Sequence, residues 1–226
     1  MKKIIVLTGA GMSAESGIST FRDSGGLWEN YDVMEVAHID SWRKNKELMI
    51  RFYNERRKQL SDVEPNEGHK ILAELENQFD VTIVTQNVDN LHERAGSSKI
   101  IHLHGELTKA CSSNDKSHVI DIGYKEINLG DKSDDGSQLR PFIVWFGEAV
   151  PEIDKAAKEV SQADIIIIVG TSMQVYPAAG LINYSPSGTP IYLIDPAEVS
   201  ISPNVEVIQE KASIGLQMLK EKLIED

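Results

Sequence analysis

Cysteine is nearly absent from the 226-residue sequence, which contains only Cys111. One thiol cannot form an intramolecular disulfide, and it cannot supply the several thiolates of a cysteine-rich zinc site. Long apolar runs are absent too, since no stretch reaches the roughly 18 to 20 residues that a membrane-spanning helix requires. The first residues, Met1, Lys2 and Lys3, lead into an apolar run without the cleavage pattern of a signal peptide. We therefore expect a soluble, cytoplasmic protein that has no membrane partner.

Positive charge is scarce, because 23 Lys and Arg residues face 35 Asp and Glu residues, which gives a formal net charge of -12. Such a chain repels the phosphate backbone of nucleic acids, so we expect no nucleic-acid partner. The same charge can attract basic, lysine-bearing segments of other proteins. Apolar residues make up 41% of the chain, which is enough for a substantial core in one large or two small domains.

Short apolar runs alternate with helical patterns along the chain. The runs are mostly apolar throughout, which is typical of buried parallel strands, and they lie at residues 3–7, 81–84, 99–103, 164–169 and 190–194. Apolar residues recur at helical spacing in residues 42–60, 67–76, 152–162 and 212–224. Asn66 and Ser213 are candidate N-caps of two of these helices. The alternation predicts an α/β fold with a doubly wound, parallel, Rossmann-like sheet.

Two stretches interrupt this alternation. Residues 25–63 carry helical patterns without a strand, and residues 108–140 are rich in Asp, Ser, Gly and Lys. We predict that they form a smaller domain inserted into the large one. The large domain then comprises residues 1–24, 64–107 and 141–226.

The first predicted strand ends in a G-x-G-x-x-A turn at residues 9–14. Glycines in such a turn let backbone amides approach a phosphate, although a tight turn without a ligand would have the same pattern. An ordinary nicotinamide dehydrogenase would continue with a second strand that ends in an acidic residue about 20 residues further on. The sequence has no buried strand there, so a dinucleotide would have to be held differently.

Three further strand ends carry polar residues, namely TQNVD at residues 85–89, His104, and GTS at residues 170–172. Carboxyl ends of parallel strands meet at one edge of a sheet, so we expect these residues to face one crevice. An imidazole at such a crevice can act as a base near pH 7. A simpler interpretation of residues 86–89 is that they cap a helix that begins near Asn90.

Five motifs, in this order and spacing, resemble the sirtuins, a family of NAD-dependent protein lysine deacylases. They are GAGMSAESGISTFR (9–22), TQNVDNLH (85–92), HGEL (104–107), VWFGE (144–148) and GTS (170–172). The resemblance spans nearly the whole chain. It implies an enzyme that uses NAD, transfers the acyl group of an acylated lysine on a protein substrate to ADP-ribose, and releases nicotinamide.

The resemblance also assigns roles to individual residues. It makes His104 the catalytic base, and it places Asn87 and Asp89 against the nicotinamide ribose and carboxamide. The residues that it implies in cofactor binding are Gly9, Ala10, Gly11, Ser13, Phe21, Arg22, Gln86, Gly170, Thr171, Ser172, Asp195 and Ala212. The residues that it implies in substrate binding are Ala14, Tyr53, Arg56, Val144, Phe146 and Gly147, and residues 143–147 resemble the segment that pairs with an extended peptide. Three other histidines, His69, His92 and His102, are interpreted as structural.

Three positions depart from the family pattern. Most sirtuins carry four zinc cysteines in two Cys-x-x-Cys pairs, whereas this chain has Cys111 alone, so we expect zinc to be absent. Asp195 stands in place of the usual asparagine on the adenine side, where it could accept ribose hydroxyls. Ser19 and Thr20 stand where many members have a proline, which could loosen the cofactor loop.

Arg56 lies in an apolar stripe of its predicted helix, one turn after Tyr53. From spacing alone, its stem can pack while its head reaches solvent or a carboxylate. The pair resembles the Tyr-x-x-Arg motif of the sirtuins that remove succinyl and malonyl groups, and Ala14 matches the small residue that widens their acyl pocket. This resemblance predicts acidic acyl groups, and also acetyl, as substrates.

Two other functions remain open from the sequence. A mono-ADP-ribosyltransferase or NAD hydrolase would use much the same cofactor pocket. A non-catalytic module that binds NAD or ADP-ribose is the other alternative.

Overall fold

The computed structural model of the chain describes residues 1–18, 31–171, 178–198 and 204–225. Numbered along the chain, its strands are β1 Lys3–Thr8, β2 Asp80–Thr85, β3 Ile100–His102, β4 Gly105–Ser112, β5 Val119–Asp121, β6 Leu139–Ile143, β7 Ile165–Val169, β8 Ile191–Ile194 and β9 Val205–Ile208. Six of them form a parallel sheet in the order β3-β2-β1-β7-β8-β9. The strand order runs outward from β1 in both directions, which confirms the doubly wound α/β prediction.

The helices are α1 Gly11–Ala14, α2 Val33–Val36, α3 Ile39–Lys44, α4 Lys46–Ser61, α5 Glu67–Leu75, α6 Leu91–Ala95, α7 Ile153–Val160 and α8 Ala212–Glu225, with a 3-10 helix at Ala178–Tyr184. Within the residues that the structure describes, none of these helices combines the length and apolar character needed to cross a membrane.

Both faces of the parallel sheet are covered, which explains why its strands are apolar throughout. Ile4 and Val6 of β1 pack in one apolar cluster with residues of α5 and α8. The alternate residues, Ile5 and Leu7, pack in a second cluster with residues of α7 and the 3-10 helix. Each side chain that becomes fully buried in this way contributes roughly 1.5 to 3 kcal/mol.

The register of the sheet brings three strand ends to the same level. Thr8, the last residue of β1, is paired with Thr85 of β2 and with Val169 of β7. The turns that follow these three strands therefore lie side by side, as the sequence predicts.

A separate antiparallel sheet has the order β5-β4-β6. It packs on α2, α3 and α4 through a third apolar cluster that includes Trp42, Phe52, Tyr53, Ile143 and Trp145. The two interrupting stretches of the sequence thus meet around one core, while the boundaries of the two predicted domains stay a prediction.

Two local predictions are wrong. The helix predicted at residues 42–60 is divided into α3 and α4 at Asn45, whose side chain accepts the amide of Leu48 and caps α4. Ser213 is not an N-cap, because it lies inside α8, and its amide and hydroxyl donate to the Glu15 carboxylate at 2.9 and 2.8 Å. The Asn66 cap of α5 is confirmed, since its side chain accepts the amide of His69.

Candidate active site

A cavity of about 820 Å³ opens at the carboxyl ends of β1, β2 and β7, and its volume is within the range of small-molecule and cofactor sites. Its wall contains every predicted site residue that the structure describes. These are Gly9, Ala10, Gly11, Ser13, Ala14, Tyr53, Arg56, Gln86, Asn87, Asp89, His104, Val144, Phe146, Gly147, Gly170, Thr171, Asp195 and Ala212. Phe21, Arg22 and Ser172 lie outside the described residues.

The glycines after β1 and β7 allow two turns to touch. A Cβ atom on Gly9 would lie 2.6 Å from the Cβ of Thr171, and one on Gly11 would lie 2.7 Å from the Cα of Gly170. The amides of Gly9 and Gly11 donate to the carbonyls of Val169 and Gly170 at 3.1 and 2.9 Å. These two amides therefore join the turns to each other, and phosphate binding by this turn stays a prediction.

Ser13, Asn87 and Asp89 form a buried polar network below these turns. The side-chain amide of Asn87 donates to the Gly9 carbonyl at 3.0 Å and to the Ser13 hydroxyl at 3.1 Å, and that hydroxyl donates to Asp89 at 2.9 Å. Both amide hydrogens of Asn87 are used, so its Oδ1 is the atom that can accept a hydrogen bond from a ligand.

Asp89 lines the cavity and also bonds the first turn of α6, although the N-cap position of that helix is Asn90, whose side chain makes no capping hydrogen bond. The Oδ1 atom of Asp89 accepts the amide of Leu91 at 3.1 Å. Burial raises the pKa of Asp89, and the hydrogen bonds from Leu91 and Ser13 oppose this rise. Asp89 thus fixes the start of α6 and holds Ser13 beneath the cavity.

His104 is positioned in the turn after β3 by one hydrogen bond. Its Nδ1 lies 3.0 Å from the carbonyl oxygen of Gln86. A carbonyl can only accept, so Nδ1 carries the proton and Nε2 keeps its lone pair. Burial lowers the pKa of His104, and the bond to Gln86 opposes this change. The ring is therefore neutral at pH 7, with a basic nitrogen available at the cavity.

The three histidines that were predicted to be structural have partners within the protein. His102 lies 2.6 Å from Glu93 and 3.3 Å from the carbonyl oxygen of Asn87. His92 lies 3.1 Å from the Thr8 hydroxyl, and its ring is in edge contact with that of His69 at 4.8 Å. These contacts support the structural interpretation of all three.

Tyr53 and Arg56 of α4 lie in the wall of the same cavity. The Tyr53 hydroxyl accepts the indole N–H of Trp145 at 2.8 Å, and burial raises the pKa of Tyr53 to about 12. The guanidinium carbon of Arg56 is 5.9 Å from the centre of the Tyr53 ring. Burial lowers the pKa of Arg56, while Tyr53 and Asp89 oppose this change. At neutral pH the pair presents one cation and one phenolic hydroxyl.

The next residue, Arg57, has a different role that the sequence did not indicate. It is fully buried, and it donates to the Leu107 carbonyl and to the Asn54 side chain, both at 2.7 Å. Arg57 thus joins α4 to β4, whereas Arg56 faces the cavity.

The segment from Val144 to Gly147 is held on both sides. The amide of Val144 donates to the His104 carbonyl at 2.9 Å, and the amide of Phe146 donates to the Ala37 carbonyl at 2.8 Å. The side chain of Phe146 is nevertheless 47% exposed. An extended segment fixed in this way fits the predicted peptide-binding role, which stays a prediction.

The far end of the cavity is formed after β8 and at the start of α8. Asp195 accepts the amide of Ala197 through Oδ1 at 2.9 Å, and Ala212 is the first residue of α8. Sequence reasoning missed Glu15 and Lys211, which also line this end. Glu15 had no local signal, because its partner Ser213 is 198 residues away in the sequence.

Cys111 is fully buried in β4, opposite Arg140 of β6. Its neighbour Ser112 donates to Asp135, contacts the Ser137 hydroxyl at 2.7 Å, and accepts the amides of Asn114 and Asp115. The described residues contain one group of side chains close enough to share a metal ion, Glu93, His102 and Glu106, and Cys111 is not part of it. The predicted lack of zinc stays a prediction.

Comparisons with known proteins agree over nearly the full length. A family model described as "Sir2 family" matches residues 9–177. An NAD-dependent protein deacylase of Bacteroides thetaiotaomicron is 58% identical, with 99% of each chain covered. A solved complex of a Sir2 homologue with NAD has a TM-score of 0.88 at 38% identity, covering 99% of this chain and 90% of that one. A Sir2 complex with a deacetylated p53 peptide and 3′-O-acetyl ADP-ribose has a TM-score of 0.83 at 30% identity, covering 97% and 92%.

Proposed function

The chain belongs to the Sir2 family, the sirtuins, and from this membership we propose that it is an NAD-dependent protein lysine deacylase. We further propose that it removes succinyl and malonyl groups as well as acetyl. The observation that carries the proposal is a neutral His104 with a free Nε2 lone pair, in one cavity with Asn87 and with the Tyr53 and Arg56 pair.

The residues of the cavity fit NAD. Gln86, Asn87, Thr171 and Asp195 offer amide, hydroxyl and carboxylate groups that can bind ribose hydroxyls and a carboxamide. When bound, NAD supplies the ADP-ribosyl group that receives the acyl group, with nicotinamide as the leaving group.

The chain's own contribution is orientation and proton transfer. Asn87 presents Oδ1 because its amide hydrogens are held by Gly9 and Ser13. Nε2 of His104 accepts a proton from a ribose hydroxyl, and the Gln86 carbonyl keeps the ring oriented and stabilises the charge that it acquires. Asn87 and His104 are both held by hydrogen bonds within the protein, so little reorganisation is needed during the reaction.

The acyl preference follows from Tyr53 and Arg56. A succinyl or malonyl carboxylate can pair with the guanidinium and accept the phenolic hydrogen, and such charge-assisted bonds are stronger than neutral ones. An acetyl group has no carboxylate and makes no such pair. Acidic acyl groups are therefore the preferred substrates.

The experiment compares one peptide carrying acetyl-, succinyl- or malonyl-lysine, incubated with NAD and analysed by mass spectrometry. Charged hydrogen bonds contribute on the order of 1.5 to 3 kcal/mol, so Arg56→Met lowers kcat/KM for succinyl-lysine roughly ten- to a hundredfold. Arg51→Met is the matched control, since Arg51 is exposed on the same helix, and it leaves the acyl preference unchanged.

Other results would point to other functions. An equal loss for all three peptides in Arg56→Met would mean that Arg56 only supports α4. Nicotinamide release that is independent of an acylated peptide would favour the NAD hydrolase or ADP-ribosyltransferase. NAD binding without any turnover would favour the non-catalytic module.

A further inference from the structure

One neighbouring residue sets the orientation of the Tyr53 hydroxyl group. The indole N–H of Trp145 lies 2.8 Å from the phenolic oxygen. An indole N–H can only donate, so the Tyr53 oxygen is the acceptor in this pair and its own hydrogen must point elsewhere. Within the described residues, no carbonyl or carboxylate accepts that hydrogen, and the side chain lines the cavity.

Trp145 is in turn held by charged groups. Arg140 places its guanidinium carbon 3.5 Å from the centre of the Trp145 ring system, and Glu148 binds Arg140 through both carboxylate oxygens at 2.9 and 3.0 Å. Glu148 also accepts the backbone amide of Trp145 at 2.9 Å. Lys116, on the small sheet's side, lies 2.7 Å from Glu148. Arg140 therefore packs on the face of the indole, and Glu148 holds the backbone amide of Trp145.

We propose that Trp145 is a positioning residue for acyl selectivity, whose indole N–H turns the Tyr53 hydroxyl into a fixed donor for an acidic acyl group. The inference rests on the proposed acidic-acyl function and adds a residue that acts on the acyl group only through Tyr53. A hydroxyl without this partner samples several orientations and has to be turned towards the carboxylate when the acyl group binds. A hydroxyl that already accepts from Trp145 has its hydrogen directed away from the indole, so it is oriented as a donor in advance and needs less reorganisation.

The position of Trp145 gives this arrangement a second consequence. Trp145 follows Val144, whose amide is bound by the His104 carbonyl, in the segment predicted to pair with the substrate peptide. Trp145 is therefore the direct neighbour of the residue that bonds the His104 turn, and its own indole bonds Tyr53 in the cavity wall. Selectivity for the acyl group then depends on a side chain outside the Tyr-x-x-Arg motif.

The test measures the ratio of kcat/KM for succinyl-lysine to that for acetyl-lysine on the same peptide. Loss of one neutral hydrogen bond predicts a roughly three- to tenfold fall of this ratio in Trp145→Phe, mainly through KM for the succinyl peptide. Trp42→Phe is the matched control, because Trp42 is buried in the same aromatic cluster, 5.4 Å from Trp145. It leaves the ratio unchanged even if it lowers the melting temperature.

A double-mutant cycle separates positioning from packing. In a Tyr53→Phe background, Trp145→Phe produces no further fall in the ratio, because the hydroxyl it orients is gone. Site-specific replacement of Trp145 by 3-benzothienylalanine, which keeps the shape of indole but lacks its N–H, reproduces the Trp145→Phe ratio. It also provides the measurement if Trp145→Phe does not fold.

The outcomes distinguish this inference from the function on which it rests. A lower ratio in Arg56→Met together with an unchanged ratio in both Trp145 replacements would overturn the role of Trp145 and leave the acidic-acyl function standing. An unchanged ratio in Arg56→Met would overturn the acidic-acyl function and the inference with it. Additive losses in the double-mutant cycle would show that Trp145 acts by packing alone.

Discussion

The ability of His104 to act as a base depends on a contact with the backbone and on burial. The Gln86 carbonyl fixes the proton on Nδ1, and burial keeps the ring neutral by lowering its pKa. The two effects act together, since a neutral ring with Nδ1 protonated has its basic nitrogen on Nε2. Neither effect requires another ionisable side chain, so the base is ready over the whole neutral range.

His104→Ala is expected to lower deacylation at least a hundredfold, because general bases contribute about 10² to 10⁴ in rate. NAD binding and the melting temperature stay close to those of the wild type. In the wild type, kcat/KM rises with pH as His104 loses its proton, with a midpoint below the ordinary value of 6.5. A pH series with the succinyl peptide measures this, and His118→Ala, which removes an exposed histidine, is the control. Near-normal turnover in His104→Ala would reject the proposed base.

The candidate site was largely predictable residue by residue, because its polar side chains follow apolar strands. Gln86, Asn87 and His104 are marked in this way in the sequence, and the parallel register brings them together. The supporting contacts were not predictable. The indole of Trp145 reaches Tyr53 across 92 positions of sequence, and no local pattern reports such a pair.

Among the elements, α5 depends on an unusual first turn. Its capping box pairs the Asn66 side chain with the His69 amide, and the Asn66 amide with Nδ1 of His69. His69 is fully buried, and burial lowers its pKa to about 4. The box exists only while His69 is neutral, because a protonated imidazole has no acceptor.

Acid is therefore expected to destabilise the protein through His69. The unfolded chain takes up a proton near pH 6.5 and the folded chain only near pH 4, so stability falls as the pH drops from about 6.5 to about 4 and is fully present above that window. A gap of about 2.5 pH units, at about 1.4 kcal/mol each, corresponds to a loss on the order of 3 kcal/mol. Urea unfolding between pH 7.5 and 4.5 measures the loss.

His69→Gln provides the comparison for this acid effect. Glutamine keeps a side-chain acceptor at the same position of the box but does not titrate. The variant is expected to lose less stability on acidification, whereas His118→Gln behaves like the wild type. An unchanged acid loss in His69→Gln would assign the effect to other groups, such as the buried His92.

The strands were predicted correctly from the sequence where both of their faces are buried. β1 and β7 are apolar along their length because both faces are covered. β9 was not predicted, since it is an edge strand with Glu206 and Val207 exposed and lacks an apolar run. β5 is exposed along its whole length, and its position depends on pairing with β4, which a sequence pattern cannot report.

In the whole molecule, two apolar clusters cover the faces of the parallel sheet and a third contains the small sheet, which lacks the cysteine pairs typical of its family. Two observations bear on what stabilises it. The cluster that includes Trp42 and Phe52 joins the small sheet to the helices. The buried Ser112 hydroxyl joins the segments around Asn114 and Ser137.

The last prediction is that the chain folds and works without zinc. One buried thiol cannot complete a tetrahedral site, so elemental analysis finds no stoichiometric zinc, and a strong chelator leaves both the melting temperature and deacylation unchanged. Ser112→Ala, in contrast, lowers stability by about 1 to 3 kcal/mol, because the groups it bonds lose their partner. Cys111→Ala is the control for the thiol, and it leaves the metal content unchanged. One zinc per chain in the wild type would contradict the prediction. A chelator-induced fall in melting temperature that Cys111→Ala abolishes would locate that metal at the thiol.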